Sequence, residues 1–307
     1  MTNGAQCGLR LTTHRLIQGN SQLIPQSHGL ARRPVRTVFV SDIHLGCRHS
    51  QAAAFLRFLE SIQPRQLYLV GDFIDGWKLR RRWRWNPVYT RILLRLSEMA
   101  HGGTRIFFTP GNHDDFLRDP VIREVVSMGL VRIRDEFVHQ LADGRRFLVL
   151  HGDRFDRIET GARWMSVVAS MAYDSLLAAN AFVCGFSQLA TRQRYSLGAA
   201  VKRRVKRIVN FISEFESRLV AHADELGCAG IICGHIHTPT MVHRGDVLYC
   251  NTGDWVENCT ALIEEESGCL ELVECRADGK WKTLSMTSNT RPITNDVSDP
   301  AMAVCDE

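Results

Sequence analysis

Five short apolar runs, each followed by polar residues able to bind a metal ion, constrain this chain more than any other feature. Runs of three or four apolar residues bounded by polar residues are typical of buried strands. Each strand would deliver side chains at its carboxyl end. The five polar clusters are, in order, Asp42-x-His44, Gly71-Asp72, Gly111-Asn112-His113-Asp114, His151-Gly152-Asp153 and Gly234-His235-Ile236-His237.

The segments between the first runs have helical spacing, so the sequence predicts an α/β fold. Helices are expected over 51–61 and 86–100, the second with Asn86 as its N-cap and Pro87 in its first turn. Strands are expected again over 246–250 and 262–275, with residues 266–268 as a hairpin turn.

About eighty residues after His151 lack strand signals and predict a helical insertion over about 154–220. In residues 202–219 the apolar positions recur at spacings of three and four, which predicts an amphipathic helix with a cationic first half. The folded domain is expected to span 35–285, with loose tails over 1–34 and 286–307.

Charge, cysteine content and the N-terminal sequence exclude several classes of protein. The net charge of +5 is only mildly basic and does not by itself indicate a nucleic-acid partner. The ten cysteines form no CxxC motif, so reduced thiols are expected rather than a disulfide framework or a structural zinc site.

The first residues lack the apolar core of a secretion signal, which favours the cytoplasm. The apolar stretch 161–190 is not expected to span a bilayer, because Asp174 would cost about 3 kcal/mol at its centre.

The polar clusters suit a centre of two metal ions. Carboxylate, amide and imidazole ligands together suit Mn²⁺, Fe²⁺ or Zn²⁺. A pair of ions needs a bridging carboxylate. Asp72 is the predicted bridge because, with Asp42, it follows a predicted central strand. Any one cluster alone could be a helix cap, a turn or a buried core histidine, but five in succession after apolar runs make coincidence improbable.

The motif series resembles that of the calcineurin-like metallophosphoesterases, which reads D-x-H, G-D, G-N-H-D/E, H-G-D and G-H-x-H, and the match covers residues 36–275. The resemblance implies two mixed β-sheets flanked by helices, which form an α/β/β/α sandwich. It also implies two divalent metal ions. Mn²⁺ is expected, and Fe²⁺ or Zn²⁺ are the alternatives. The resemblance further implies that His113 contacts the phosphate as a general acid or charge stabiliser and that Asp114 orients it. One ion would be held by Asp42, His44, Asp72 and His237. The other would be held by Asp72, Asn112, His151 and His235.

A second resemblance involves residues 151–156 (HGDRFD), Trp164, Tyr173-Asp174 with Asn180, the basic amphipathic helix and residues 249–262. Together they are similar to the UDP-2,3-diacylglucosamine pyrophosphohydrolase group of lipid A synthesis. This resemblance implies a nucleotide-linked glycolipid as substrate and a peripheral position on the inner membrane. The enzymes that define that activity carry Arg where this chain has His113, which relates the chain to the hydrolase-like branch and leaves the exact substrate open.

Cationic residues outside the metal clusters are the candidate substrate contacts, and they would face phosphates or an anionic membrane. They are Arg80, Arg82, Arg192, Arg194, Lys202, Arg203 and Lys206. The apolar residues of the insertion would line an acyl-chain groove. The alternative is that they only pack a helical hairpin and that the charges are a solvated face.

Two other function classes remain open from the sequence. A soluble phosphodiesterase or nuclease would use the arginines along a nucleic-acid backbone, and the apolar insertion argues against it. A scaffold that has lost its chemistry would lack metal ligands, whereas the five clusters are complete.

Overall fold

Two mixed β-sheets form the centre of the computed structural model, which describes residues 32–77, 85–127, 131–156, 194–276 and 280–287, with the backbone alone over 194–208. The strands are β1 Arg33–Val40, β2 Ile62–Val70, β3 Arg105–Thr109, β4 Val131–Ile133, β5 Glu136–Gln140, β6 Arg146–Leu150, β7 Gly230–Cys233, β8 Thr240–Arg244, β9 Val247–Asn251, β10 Thr260–Glu264, β11 Leu270–Cys275 and β12 Trp281–Met286. The α-helices are α1 Ala52–Ser61, α2 Pro87–His101, α3 Pro120–Ser127 and α4 Arg194–Glu225. Single 3₁₀ turns occupy Asp115–Arg118 and Asp153–Phe155.

Parallel strands lie at the centre of both sheets. The first sheet has the order β12-β11-β10-β1-β2-β3-β4, with β1 to β4 parallel and β10 to β12 antiparallel. The second sheet has the order β5-β6-β7-β9-β8, with β6, β7 and β9 parallel. The carboxyl ends of neighbouring parallel strands therefore meet at one edge of each sheet.

Three apolar clusters define the layers. One packs the outer face of the first sheet against α1 and α2, with Phe55 and Ile92 among its buried residues. A second lies between the sheets and includes Phe39 and Phe147. The third packs the outer face of the second sheet against α4 through Phe215. The predicted α/β/β/α sandwich is confirmed.

The predicted helices and the hairpin are also present. The side chain of Asn86 accepts a hydrogen bond from the Val88 backbone N–H at 3.0 Å, which caps α2 as expected. The turn between β10 and β11 contains Gly268 in a left-handed conformation, with φ of +81°. No helix among the described residues combines the length and apolar character needed to cross a bilayer.

Several predicted boundaries differ from the structure. Strand β1 begins at Arg33, two residues before the expected start of the domain. Helix α4 has 32 residues, so it extends beyond the predicted helix over 202–219 at both ends. The predicted tails lie largely outside the described residues, as do residues 157–193 of the predicted insertion.

A buried polar cluster that the sequence did not indicate joins the two sheets. His139 on β5 and Glu264 on β10 are both buried, and Nε2 of His139 lies 2.8 Å from a carboxylate oxygen of Glu264. The other carboxylate oxygen of Glu264 accepts a hydrogen bond from the Ala142 N–H and pairs with Arg36 at 2.9 Å. Burial acts to raise the pKa of Glu264, but the hydrogen bonds with His139, Thr37 and the Ala142 N–H together more than offset it, so the pKa is lowered.

Replacing Glu264 should destabilise the fold strongly, because Glu264→Ala leaves His139 and Arg36 without their carboxylate inside the protein. We expect a loss of about 3–5 kcal/mol in the free energy of unfolding, measured by urea denaturation. The matched control is Glu266→Ala, which removes an exposed carboxylate paired with Arg65 and should cost less than about 1 kcal/mol. Equal losses in the two variants would contradict a structural role for the buried cluster.

Candidate metal centre

The five polar clusters converge because each follows a strand at the same end of the sandwich. Asp42 and Asp72 come two residues after β1 and β2, which are parallel neighbours in the first sheet. His151 comes directly after β6 and His235 two residues after β7, which are parallel neighbours in the second sheet. Both sheets therefore contribute donor atoms to one site.

On one side of the site, Asp42 lies among two histidines. Its Oδ1 atom is 2.9 Å from Nε2 of His237 and 3.6 Å from Nε2 of His44. The two Nε2 atoms are 3.3 Å apart. Burial acts to raise the pKa of Asp42, but His237 and His44 more than offset it and hold the pKa well below its ordinary value. Asp42 is therefore a buried carboxylate anion that could bind a metal ion.

Asp72 occupies the centre of the site. Its Oδ2 atom is 3.5 Å from Nε2 of His151, 3.8 Å from Nε2 of His44 and 3.9 Å from Nε2 of His113. Burial acts to raise the pKa of Asp72, but the neighbouring histidines, His151 above all, lower it. The same charge raises the pKa of His151 to about 10 against the opposing effect of burial. Asp72 thus lies between the imidazoles supplied by different strands.

The donor atoms fit divalent metal ions. Three groups of side chains bring their potential ligand atoms within 4.8 Å of one another: Asp42, His44 and His237; His44, Asp72 and His113; and Asp42, Asp72 and His151. Oδ1 of Asn112 and Nε2 of His151 are buried and have no hydrogen-bond partner among the described residues. Buried polar atoms normally have partners, so these atoms are available to a bound group.

The backbone is strained where it delivers these ligands. Left-handed φ angles occur at Asp42 (54°), His44 (50°), Asp72 (52°), His235 (68°) and His237 (50°). Such angles are rare for residues with a side chain and cost of order 1–3 kcal/mol each, and they cluster at functional sites. The surrounding sheets hold these residues in conformations that aim their side chains at the centre.

Two glycines allow the ligands to approach closely. A Cβ atom at Gly71 would lie 2.3 Å from the ring of His151. A Cβ atom at Gly111 would lie 2.2 Å from Oδ1 of Asp72. Any larger residue at either position would displace a donor, which explains the glycines beside the predicted ligands.

His113 is held by Asp75, and the expectation that Asp114 orients it is wrong. Nδ1 of His113 lies 3.2 Å from Oδ1 of Asp75, and the indole of Trp77 packs against the imidazole with 4.3 Å between ring centroids. Asp114 instead accepts hydrogen bonds from the backbone N–H groups of Gly111 and Phe73. Asp114 therefore shapes the loop, and its pKa is raised to about 7 because it is buried near the charge of Asp72.

Several residues that support the site lie outside the five polar clusters. Asp75 follows Asp72 by three residues, and this short spacing was the available signal. Asp156 lies 3.3 Å from Nε2 of His235 and ends the HGDRFD segment. Asn258 donates a hydrogen bond to the backbone oxygen of His237 at 3.0 Å from a loop remote in sequence, and no local pattern indicated it.

The candidate substrate contacts fall where the structure gives little detail. Arg80, Arg82 and Arg192 lie outside the described residues. The other four lie in the first half of α4, where the backbone is described: Arg194, Lys202, Arg203 and Lys206. The described cysteines form no disulfide with one another.

The central position of Asp72 predicts that its loss affects metal binding throughout the site. Asp72→Asn removes the anionic oxygen shared by three histidines, so the variant should retain less than one equivalent of Mn²⁺ after gel filtration, measured by elemental analysis. Asp224→Asn, which changes an exposed carboxylate on α4, is the control and should match the wild type. A variant of Asp72 with the metal content of the wild type would show that this carboxylate is not shared.

Comparisons with known proteins identify the family of this chain. The family model described as calcineurin-like phosphoesterase matches residues 35–239. The UDP-2,3-diacylglucosamine hydrolase of Ectopseudomonas mendocina is 28% identical over 242 residues, which cover 75% of this chain and 95% of that protein. The enzyme of the same name from Photorhabdus laumondii is 36% identical over 121 residues, 38% of this chain and 48% of that protein, so the alignment spans about half of that relative.

The chain is also similar to a solved structure. Yfce, a phosphoesterase from E. coli, superposes with a TM-score of 0.40 at 15% sequence identity, covering 82% of this chain and 97% of that one. The matched family region contains all five polar clusters. The chain belongs to the calcineurin-like phosphoesterase family and is a metal-dependent phosphoester hydrolase.

Proposed function

We propose that this protein hydrolyses the diphosphate of a UDP-linked 2,3-diacylglucosamine, a step of lipid A synthesis, at the cytoplasmic surface of the inner membrane. The observation that carries the proposal is the buried Asp72 carboxylate within 4 Å of three imidazoles, a donor set suited to phosphoryl chemistry. The names of the curated relatives support the substrate, since one of them aligns over 95% of its length.

Two divalent metal ions, with Mn²⁺ expected, would be held by the convergent side chains. The first would take Asp42, His44, Asp72 and His237. The second would take Asp72, Asn112, His151 and His235. Bound ions of this kind lower the pKa of water and neutralise charge on the phosphoryl oxygens.

His113 is proposed as the group that contacts the scissile phosphate and gives a proton to the leaving oxygen. Burial acts to lower its pKa, but the hydrogen bond with Asp75 and the charge of Asp72 more than offset it, so the pKa is raised. A raised pKa favours the protonated form that a general acid needs near neutral pH. With Nδ1 directed at Asp75, Nε2 is the nitrogen that faces the site.

Trp77 supports this role by covering one face of the His113 ring. The two rings are tilted by 30°, and Trp77 is 38% exposed whereas His113 is 5% exposed. The indole thus separates the imidazole from bulk water on that side, which keeps the ring oriented for proton transfer.

A panel of three substrates tests the proposal. The Mn²⁺-loaded enzyme should release UMP from UDP-2,3-diacylglucosamine at least about 100-fold faster, in kcat/KM, than from UDP-N-acetylglucosamine, because buried acyl methylenes each contribute about 0.8 kcal/mol. The second compound has the same diphosphate without the two acyl chains. Hydrolysis of bis-p-nitrophenyl phosphate with no cleavage of either nucleotide sugar would contradict the proposal and favour a soluble phosphodiesterase.

Asp75→Asn should lower kcat by about 10- to 100-fold and leave KM within about twofold, because the variant loosens the group that orients the acid without removing it. The control is Asp115→Asn, an exposed carboxylate on the same loop as His113. Steady-state kinetics on the preferred substrate provide the measurement. An Asp75 variant as active as the control would mean that His113 does not depend on this contact.

A further inference from the structure

His235 differs from His151 and His113 in which ring nitrogen contacts a neighbouring oxygen atom outside the centre of the site. Nδ1 of His151 lies 2.9 Å from the Val70 carbonyl oxygen, and Nδ1 of His113 lies 3.2 Å from Asp75. In both residues Nε2 is then the nitrogen that faces Asp72. In His235 the nitrogen with the carboxylate partner is Nε2, which lies 3.3 Å from Oδ2 of Asp156.

The ring of His235 is also fixed by its packing. It lies edge-on to the ring of His151 with 5.2 Å between centroids, and 5.8 Å from the ring of Phe215 on α4. Gly152 allows this arrangement, because a Cβ atom there would lie 2.8 Å from the Phe215 ring. The backbone N–H of His235 donates a hydrogen bond to Oδ2 of Asp42 at 3.0 Å. The imidazole therefore has little freedom to rotate and exchange its two nitrogens.

Asp156 is placed to select the tautomer of this ring. Its side chain is 6% exposed, so a charge there is held out of bulk water close to the imidazole. Histidines that bind metals usually donate their second ring N–H to a carboxylate or carbonyl oxygen, which fixes both the tautomer and the orientation of the ring. The orientation of the His235 ring rests on the 3.3 Å contact between its Nε2 and Oδ2 of Asp156.

We propose that Asp156 is a positioning residue of the second metal site: it accepts the Nε2–H of His235, so that His235 binds the ion through Nδ1. This inference rests on the two-metal site proposed above. It assigns His235 a donor nitrogen different from that of His151, and it gives the HGDRFD segment a role beyond its first histidine. Asp156 acts through His235 and is not itself a ligand.

Titration with Mn²⁺ tests the inference without using catalysis. Free Mn²⁺ is counted by its electron paramagnetic resonance signal in wild type, Asp156→Asn and the control Asp246→Asn, which changes an exposed carboxylate in the turn between β8 and β9. Asp156→Asn should retain one site with the affinity of the wild type and weaken the other by about 10- to 100-fold. The control should bind both ions as the wild type does.

Three outcomes would overturn the inference. If Asp156→Asn binds two ions with unchanged affinity, the inference about Asp156 is wrong and the two-metal proposal stands. The same holds if both sites are weakened equally, because Asp156 would then act on the fold or on the whole centre and not on the second site. A wild-type protein that binds fewer than two ions would overturn the two-metal proposal, and the inference with it.

A double-mutant cycle separates positioning from direct ligation. If Asp156 acts only through His235, Asp156→Asn should change the weaker Mn²⁺ affinity of His235→Ala by less than about twofold. A further loss of tenfold in that background would show that Asp156 binds the ion itself and would contradict the proposed role. Thermal unfolding of each variant confirms that the affinities are those of folded protein.

Discussion

The approach of several imidazoles to one buried carboxylate is the constraint on which the rest of the site depends. Asp72 lies within 4 Å of His44, His113 and His151, three residues that follow three different strands. Such a cluster is stable in the interior only because opposite charges offset the cost of burial, which explains the lowered pKa of Asp72 and the raised pKa of His151. The left-handed backbone at Asp72 and the glycines at 71 and 111 follow from the same requirement for close approach.

The two sheets must keep a fixed relation for this cluster to persist, since each contributes donors to it. The apolar layer between them supplies most of the contact, and the pair of His139 and Glu264 adds a polar connection. In the antiparallel register of β1 and β10, Glu264 lies opposite Thr37, which precedes Asp42 by five residues. The connection is therefore about 17 Å along the chain from Asp42. The protein thus joins its sheets by a buried hydrogen-bonded pair in the interior, and both sheets contribute side chains to the candidate metal centre at the carboxyl ends of their strands.

The sequence predicted those parts of the fold that have a local signature. Buried strands produce continuous apolar runs, and these runs correctly indicated the strands that precede Asp42, Asp72 and His151. The strands β4, β5, β8 and β12 had no such signature, and each lies at the edge of a sheet. Edge strands are partly exposed, as the alternating burial of β5 shows, so they lack a continuous apolar run.

Contacts between remote segments were the other limit of prediction. Asp114 is adjacent to His113 in sequence, yet its carboxylate turns to the backbone of Gly111 and Phe73, and the residue that meets the imidazole is Asp75 on another loop. The direction of a side chain depends on the backbone conformation and on the tertiary neighbours, which motif spacing does not specify. The same limit applies to Phe215, which lies in the predicted amphipathic helix but whose contact with His235 no spacing indicated.

Crystals grown with Mn²⁺ provide the most direct test of the central claim, through anomalous diffraction recorded on both sides of the manganese absorption edge. The account predicts two anomalous peaks per chain, one on either side of the Asp72 carboxylate, with Asp42 and His237 at the first peak and Asn112 and His151 at the second. A single peak, or two peaks that do not share Asp72, would contradict it.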